Sequence, residues 1–142
     1  MSPSGPPVEL LARLGLEQVV WLTTLRPDGS PHVTPVWFVL LGGGAGGTGA
    51  AATWWVATGA TNVKVTNLRH DPRVALALTL DQRPVVAEGR AELHADTFPA
   101  AVVRAFADKY DGWDVEQREP DGAPRLLVQI PVTRWLLQGS AR

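Results

Sequence analysis

The chain has 142 residues, 13 Lys and Arg against 14 Asp and Glu, and no cysteine. Its net charge of -1 and pI near 6.3, with no run of basic residues, argue against a nucleic-acid or anionic-membrane surface and leave a small molecule or another protein as the expected partner. The missing cysteines exclude disulfides, thiolate catalysis and thiolate metal sites, and no stretch reaches membrane-spanning length, so a single, soluble, cytoplasmic domain is expected.

Residues 1–7 read as a flexible, Pro-rich lead. Val8 to Leu14 predicts a short helix with Leu10, Leu11 and Leu14 on its apolar side and Gly15 as its C-terminal glycine. Gln18 to Leu25 is rich in Val, Trp, Thr and Leu and predicts a strand. Arg26-Pro27-Asp28-Gly29-Ser30 is a turn, and Pro31 to Leu41 is the return strand, whose Pro31 and Pro35 point to a sheet edge with free backbone groups near Thr34 to Val36. Residues 42–52 predict a flexible hairpin loop. It holds a G-x-G-x-x-G at Gly44, Gly46 and Gly49, read as coincidence because no long helix follows it.

The stretch from Trp54 to Leu80 carries the most chemistry. An apolar strand breaks at Thr58-Gly59 and opens into a short helix ended by His70-Asp71-Pro72, and a helix start offers backbone N–H groups to an anion. Lys64 and Asn67, three residues apart, share a helix face and can close on one phosphate. A capped surface helix with a solvated Lys64 accounts for the same residues. Val74 to Leu80 and Val85 to His94 are strands joined by a turn, with Gly89 marking a bulge. Asp96 is placed to cap a helix from Thr97 to Tyr110. A polar loop to Ala123 holds Trp113, and Arg125 to Ile130 and Thr133 to Gln138 are strand, broken at Pro131. About six hairpin-linked strands with short helices predict a mainly β, antiparallel barrel or sheet.

In order and motif the chain resembles the pyridoxamine 5'-phosphate oxidase-like split-barrel superfamily, and most of all its small members that use the deazaflavin coenzyme F420. The resemblance is carried by Leu22-Thr23-Thr24, by Arg26 to Phe38, by the segment from Lys64 to Arg69, by Asp71-Pro72-Arg73-Val74, and by Glu88-Gly89-Arg90-Ala91. It implies a six-stranded antiparallel split β-barrel and a homodimer with cofactor sites at the subunit interface. It also implies a phosphate site at Thr58, Thr61, Asn62, Lys64 and Asn67, and a flavin ring flanked by Thr34, Pro35, Val36, Leu78 and Thr79.

The lone cation in Ala60-Thr61-Asn62-Val63-Lys64 favours the phosphodiester of F420, with Arg69 or Arg73 near its glutamate tail, over the more highly charged phosphate of FMN, which stays the alternative. The implied activity is hydride transfer from the reduced coenzyme to a small, conjugated or electron-poor molecule, and a non-enzymatic cofactor-binding role is the third reading. No nucleophile signature is present, and the three histidines lack metal-ligand spacing. His32 is a candidate proton donor, and Trp37 and Trp113 are candidate pocket residues. Trp21, Trp54, Trp55 and Trp135 read as core or interface.

Overall fold

The computed structural model describes residues 5–42 and 52–139. Residues 1–4 and the run holding Gly44, Gly46 and Gly49 lie outside the described residues, so the expectations for the lead and the Gly-rich loop rest on sequence.

The chain runs α1 (Val8–Leu16), β1 (Val20–Leu25), β2 (Pro31–Val36), β3 (Phe38–Leu41), β4 (Thr53–Gly59), α2 (Val63–His70), β5 (Arg73–Leu80), β6 (Arg83–Arg90), β7 (Glu92–His94), α3 (Ala100–Lys109) and β8 (Arg125–Gln138). The strands form one antiparallel sheet in the order β2-β1-β5-β6-β8-β4-β3, with the short β7 paired to β8. β2 and β3 are separated by Trp37 alone, yet they lie at opposite ends of this order. One residue spans only about 3.5 Å of extended chain, so the sheet must curl until its two edges meet at Trp37. The result is a mainly β half-barrel with short helices, consistent with a split barrel.

The expected six strands become eight among the described residues because two of them divide. The return strand stops at Val36 and restarts at Phe38, changing partner from β1 to β4. The strand after the Asp81 turn divides at Ala91, whose N–H turns to the Pro72 carbonyl. The break expected at Pro131 is absent. β8 is continuous over 14 residues, pairs with β4 up to Pro131, and pairs with β6 from Val132 onward. Thr58-Gly59, expected to break the preceding strand, stay within β4 and pair with Leu126 and Arg125.

Gly89 does sit at a register shift between β6 and β8. A Cβ there would lie 2.5 Å from the Pro131 carbonyl oxygen, so the close crossing of the two strands requires glycine. The turn at Arg26 to Ser30 is as expected. Gly29 takes φ +87, and the Asp28 carboxylate accepts from the Ser30 N–H and hydroxyl. Pro31 and Pro35 are indeed on an edge strand, β2.

The helix boundaries shift for local reasons. α1 passes through Gly15 and ends where Glu17 becomes extended, its N–H bonded to the Leu14 carbonyl. Asp96 caps nothing, because the turn of chain before Pro99 is not helical and Pro99 is the residue that opens α3.

The barrel interior is filled by residues such as Leu14, Leu22, Phe38, Trp54, Leu76 and Ile130. A second cluster of Val39, Trp55, Val102, Phe106, Tyr110 and Leu127 packs α3 on the outer side of β3 and β4. Apolar contact on both faces explains the unbroken apolar run Trp54-Trp55-Val56. Trp54, Trp55 and Trp135 are buried, whereas Trp21 is 51% exposed. No helix among the described residues is long and apolar enough to cross a membrane.

Candidate functional site at the start of helix α2

Helix α2 begins four residues after β4 ends, and Asn62 is its N-cap, its side-chain oxygen accepting the Lys64 N–H at 3.0 Å. The Asn62 N–H bonds to Gly59 O and the Val65 N–H to Asn62 O. The amides of Thr61 and Val63 make no such bond among the described residues. The open helix start expected from sequence is therefore narrower: part of it is closed by its own cap.

Lys64 and Asn67 do share a face, and that face is turned inward. Lys64 is 9% exposed and Asn67 1%. Asn67 Nδ2 donates to Thr24 Oγ1 at 3.0 Å, which ties α2 to β1. Lys64 has a different situation. Its amine makes no hydrogen bond or ion pair with any described residue, and burial holds its pKa below the ordinary lysine value, an effect partly offset by the charge of Glu119. A cation removed from water without a partner is costly, and such a group is normally paired or neutralised. The surface-helix reading of Lys64 fails on this burial.

Edge strand β2 borders the same face. Thr24 is the cross-strand partner of His32, and Leu22 that of Thr34, so His32 and Thr34 point to the side on which α2 lies. His32 Nδ1 and Thr34 Oγ1 are both buried with no hydrogen-bond partner. Buried polar atoms are seldom left unpaired. These two atoms, on the side of the sheet that α2 covers, and the unpaired Lys64 amine are polar groups that a bound polar ligand could complete.

Val36, across from Val20, and Leu78 are buried on this inner side. Pro35 and Thr79 alternate to the other face, with Trp21 and Ala77, so the structure does not bring all five expected ring-flanking residues to one surface. Thr58 is buried at the end of β4, whereas Thr61 and Asn62 are exposed on a cavity of about 380 Å³. Trp37 and Trp113 lie together rather than across a gap. Trp37 stacks on Tyr110 at 4.4 Å and meets Trp113 edge-on at 5.4 Å, so much of their ring surface is used on one another. A larger cavity of about 490 Å³ is on the opposite face of the sheet, where Arg73, already paired with Asp71, meets Glu88 and Arg90.

Two residues at the site were not expected there from sequence. Thr24 is one threonine of several in its strand, and only pairing shows that it meets Asn67. Glu119 belongs to the polar loop after α3, yet its Cγ lies 3.1 Å from where a Gly59 Cβ would be, and it faces the helix start. His94, at the end of its strand, meets Gln129 at 2.8 Å.

The sequence pattern of the family described as pyridoxamine 5'-phosphate oxidase matches residues 7–139. The chain belongs to the pyridoxamine 5'-phosphate oxidase family. Among solved structures of similar fold, a protein described as an F420 reductase is 23% identical, with a TM-score of 0.67 over 94% of this chain and 97% of its own. A conserved hypothetical protein from Mycobacterium tuberculosis is 28% identical, with a TM-score of 0.66 over 89% and 80% of the two chains. A FAD-binding protein from Mesorhizobium loti is 18% identical, with a TM-score of 0.62 over 89% and 87%. No curated protein sequence matches this family member.

Proposed function

We propose that this pyridoxamine 5'-phosphate oxidase family protein is an F420-dependent reductase of small, conjugated or electron-poor molecules, working as a homodimer with the coenzyme between its subunits. The observation that carries the reading is the largely buried Lys64 side chain at the start of α2, whose amine has no hydrogen-bond or ion-pair partner among the described residues. One lysine, the Asn62-capped helix start and the hydroxyl of Thr58 suit a singly charged phosphodiester. Thr34 and His32 offer unpaired polar atoms to the same ligand. Asn67 acts through position: by holding Thr24 it sets the rotation of α2 and so the direction of Lys64. The similarity to a protein described as an F420 reductase supports the same coenzyme.

When bound, the reduced deazaflavin supplies the hydride, and the chain's work is to hold and shield it. No described side chain is needed as a nucleophile. His32, on an inward-facing edge position, is placed as the chain's candidate to hand a proton to the product. FMN is the second reading: the similarity to a FAD-binding protein supports a flavin in place of the deazaflavin, and the single lysine opposes the doubly charged phosphate of FMN.

The test is single-turnover oxidation of reduced F420 by the purified protein with a panel of enones, quinones and nitroaromatics. Acceptor-dependent loss of the reduced coenzyme is expected. Tight binding of F420 without turnover on any acceptor would move the protein to a carrier role.

A further inference from the structure

The cavity of about 380 Å³ beside α2 has two unlike walls. One is Gly59, Thr61 and Asn62; the other is Glu119, Pro120 and Asp121. We propose that Glu119 is the residue that selects a phosphodiester over a phosphate monoester at this site. The proposal rests on the phosphate reading above and adds to it the means of discrimination.

Glu119 is held rather than free. Its carboxylate accepts from Arg125 at 3.2 Å, and its Cγ and Oε1 lie 3.1 and 3.3 Å from where a Cβ on Gly59 would be. Arg125 is in turn fixed by the Gln117 carbonyl at 2.7 Å and by the ring of Trp113 at 4.8 Å. The loop closes on itself through the Glu119 N–H to the Ala123 carbonyl, the Gly122 N–H to the Glu119 carbonyl, and the Asp121 carboxylate, which accepts from the Ala123 N–H. Swinging the Glu119 side chain out of the way therefore breaks its bond to Arg125, while the backbone bonds keep the loop that carries it in place.

The charges around the helix start then sum to nearly nothing: Lys64 and Arg125 against Glu119 and Asp121. Attraction to Lys64 and repulsion from Glu119 both scale with the ligand's charge. A second negative charge gains no net field there, while the dianion gives up a much larger hydration on entry. A monoanionic diester has the smaller loss. Glycine at position 59 fits this arrangement, since a Cβ there would press on the Glu119 side chain at 3.1 Å.

The experiment measures dissociation constants of F420, FMN and riboflavin, the flavin without phosphate, for the wild type, Glu119→Gln and Asp121→Asn. A carboxylate and a phosphate charge roughly 6 Å apart in a water-like dielectric repel enough to weaken binding about threefold per phosphate charge. Glu119→Gln is expected to leave riboflavin unchanged, to tighten F420 about threefold and to tighten FMN about tenfold. Asp121→Asn should move FMN in the same direction by less. An unchanged ratio of FMN to F420 affinity in both variants overturns the proposal, as does an equal gain for riboflavin, which would mark a change of loop shape. Wild-type protein that binds riboflavin as well as it binds either phosphorylated cofactor would instead overturn the phosphate site itself.

Discussion

Asn67 and Thr24 meet in a buried 3.0 Å hydrogen bond between α2 and β1, and this contact decides which way Lys64 faces. The helix is only eight residues long and has little apolar surface of its own beyond Val65 and Leu68. Asn67→Ala leaves the Thr24 hydroxyl buried without its partner and should cost about 1–3 kcal/mol of stability. The paired change Thr24→Val with Asn67→Leu should cost less than the two single changes summed. Urea unfolding of the three variants reads this directly, and simple additivity would show the bond to be unimportant.

Lys64→Met should not destabilise the fold. It removes a desolvated charge that has no partner and keeps an apolar stem of similar length, so an unchanged or higher Tm is expected in the absence of ligand. A large fall in Tm would mean that the amine has a structural partner.

Gly89→Ala should be among the most damaging conservative changes. The added Cβ meets the Pro131 carbonyl at 2.5 Å and Ile130 Cγ2 at 2.7 Å, and a backbone carbonyl in a paired strand cannot step aside. Overpacking of this kind costs about 1–3 kcal/mol. Gly112→Ala and Gly122→Ala meet no atom within 4 Å but force a positive φ on alanine, so a milder loss is expected there. Thermal unfolding of the three variants ranks them.

Lys109 gives the fold a pH signature. Burial lowers its pKa to about 8, although its amine donates to the Phe38 carbonyl at 2.8 Å and lies 3.5 Å above the Phe38 ring. Between pH 8 and the ordinary lysine value the unfolded chain holds this proton and the folded chain does not. Stability should therefore rise with pH across that window, with Lys64, also lowered, acting in the same sense. The Lys109→Met variant should show a flatter profile from pH 8 to 10 when chemical denaturation is repeated at each pH. Identical slopes for variant and wild type would contradict the assignment.

Much of the fold was legible because it follows from short-range rules. The Asp28-Gly29 turn, the edge prolines Pro31 and Pro35, the Gly89 bulge and the α2 helix ended at Asp71-Pro72 each carry their own local cause. The divided strands were not legible. Nothing around Trp37 marks a break, because the break is made by curling of the sheet and by Tyr110, 73 positions away, whose hydroxyl accepts the Phe38 N–H at 2.9 Å. At the site, helical spacing was enough to place Lys64 and Asn67 on one face. It could not show that this face is buried, that Thr24 answers Asn67, or that a carboxylate from the loop after α3 lies opposite. Those are products of tertiary packing between segments 40 to 60 residues apart.

The central claim, that Lys64 at the start of α2 holds the phosphate of F420, is tested most directly by parallel binding titrations. Purified cofactor-free protein and its Lys64→Ala variant would be titrated with F420 and with FMN, followed by tryptophan fluorescence. Micromolar or tighter F420 binding by the wild type is expected, with weaker FMN binding. For the variant a loss of about 1.5–3 kcal/mol, or roughly 10- to 150-fold, in F420 affinity is expected. Equal F420 affinity for the two proteins, or a wild type that prefers FMN, would contradict it.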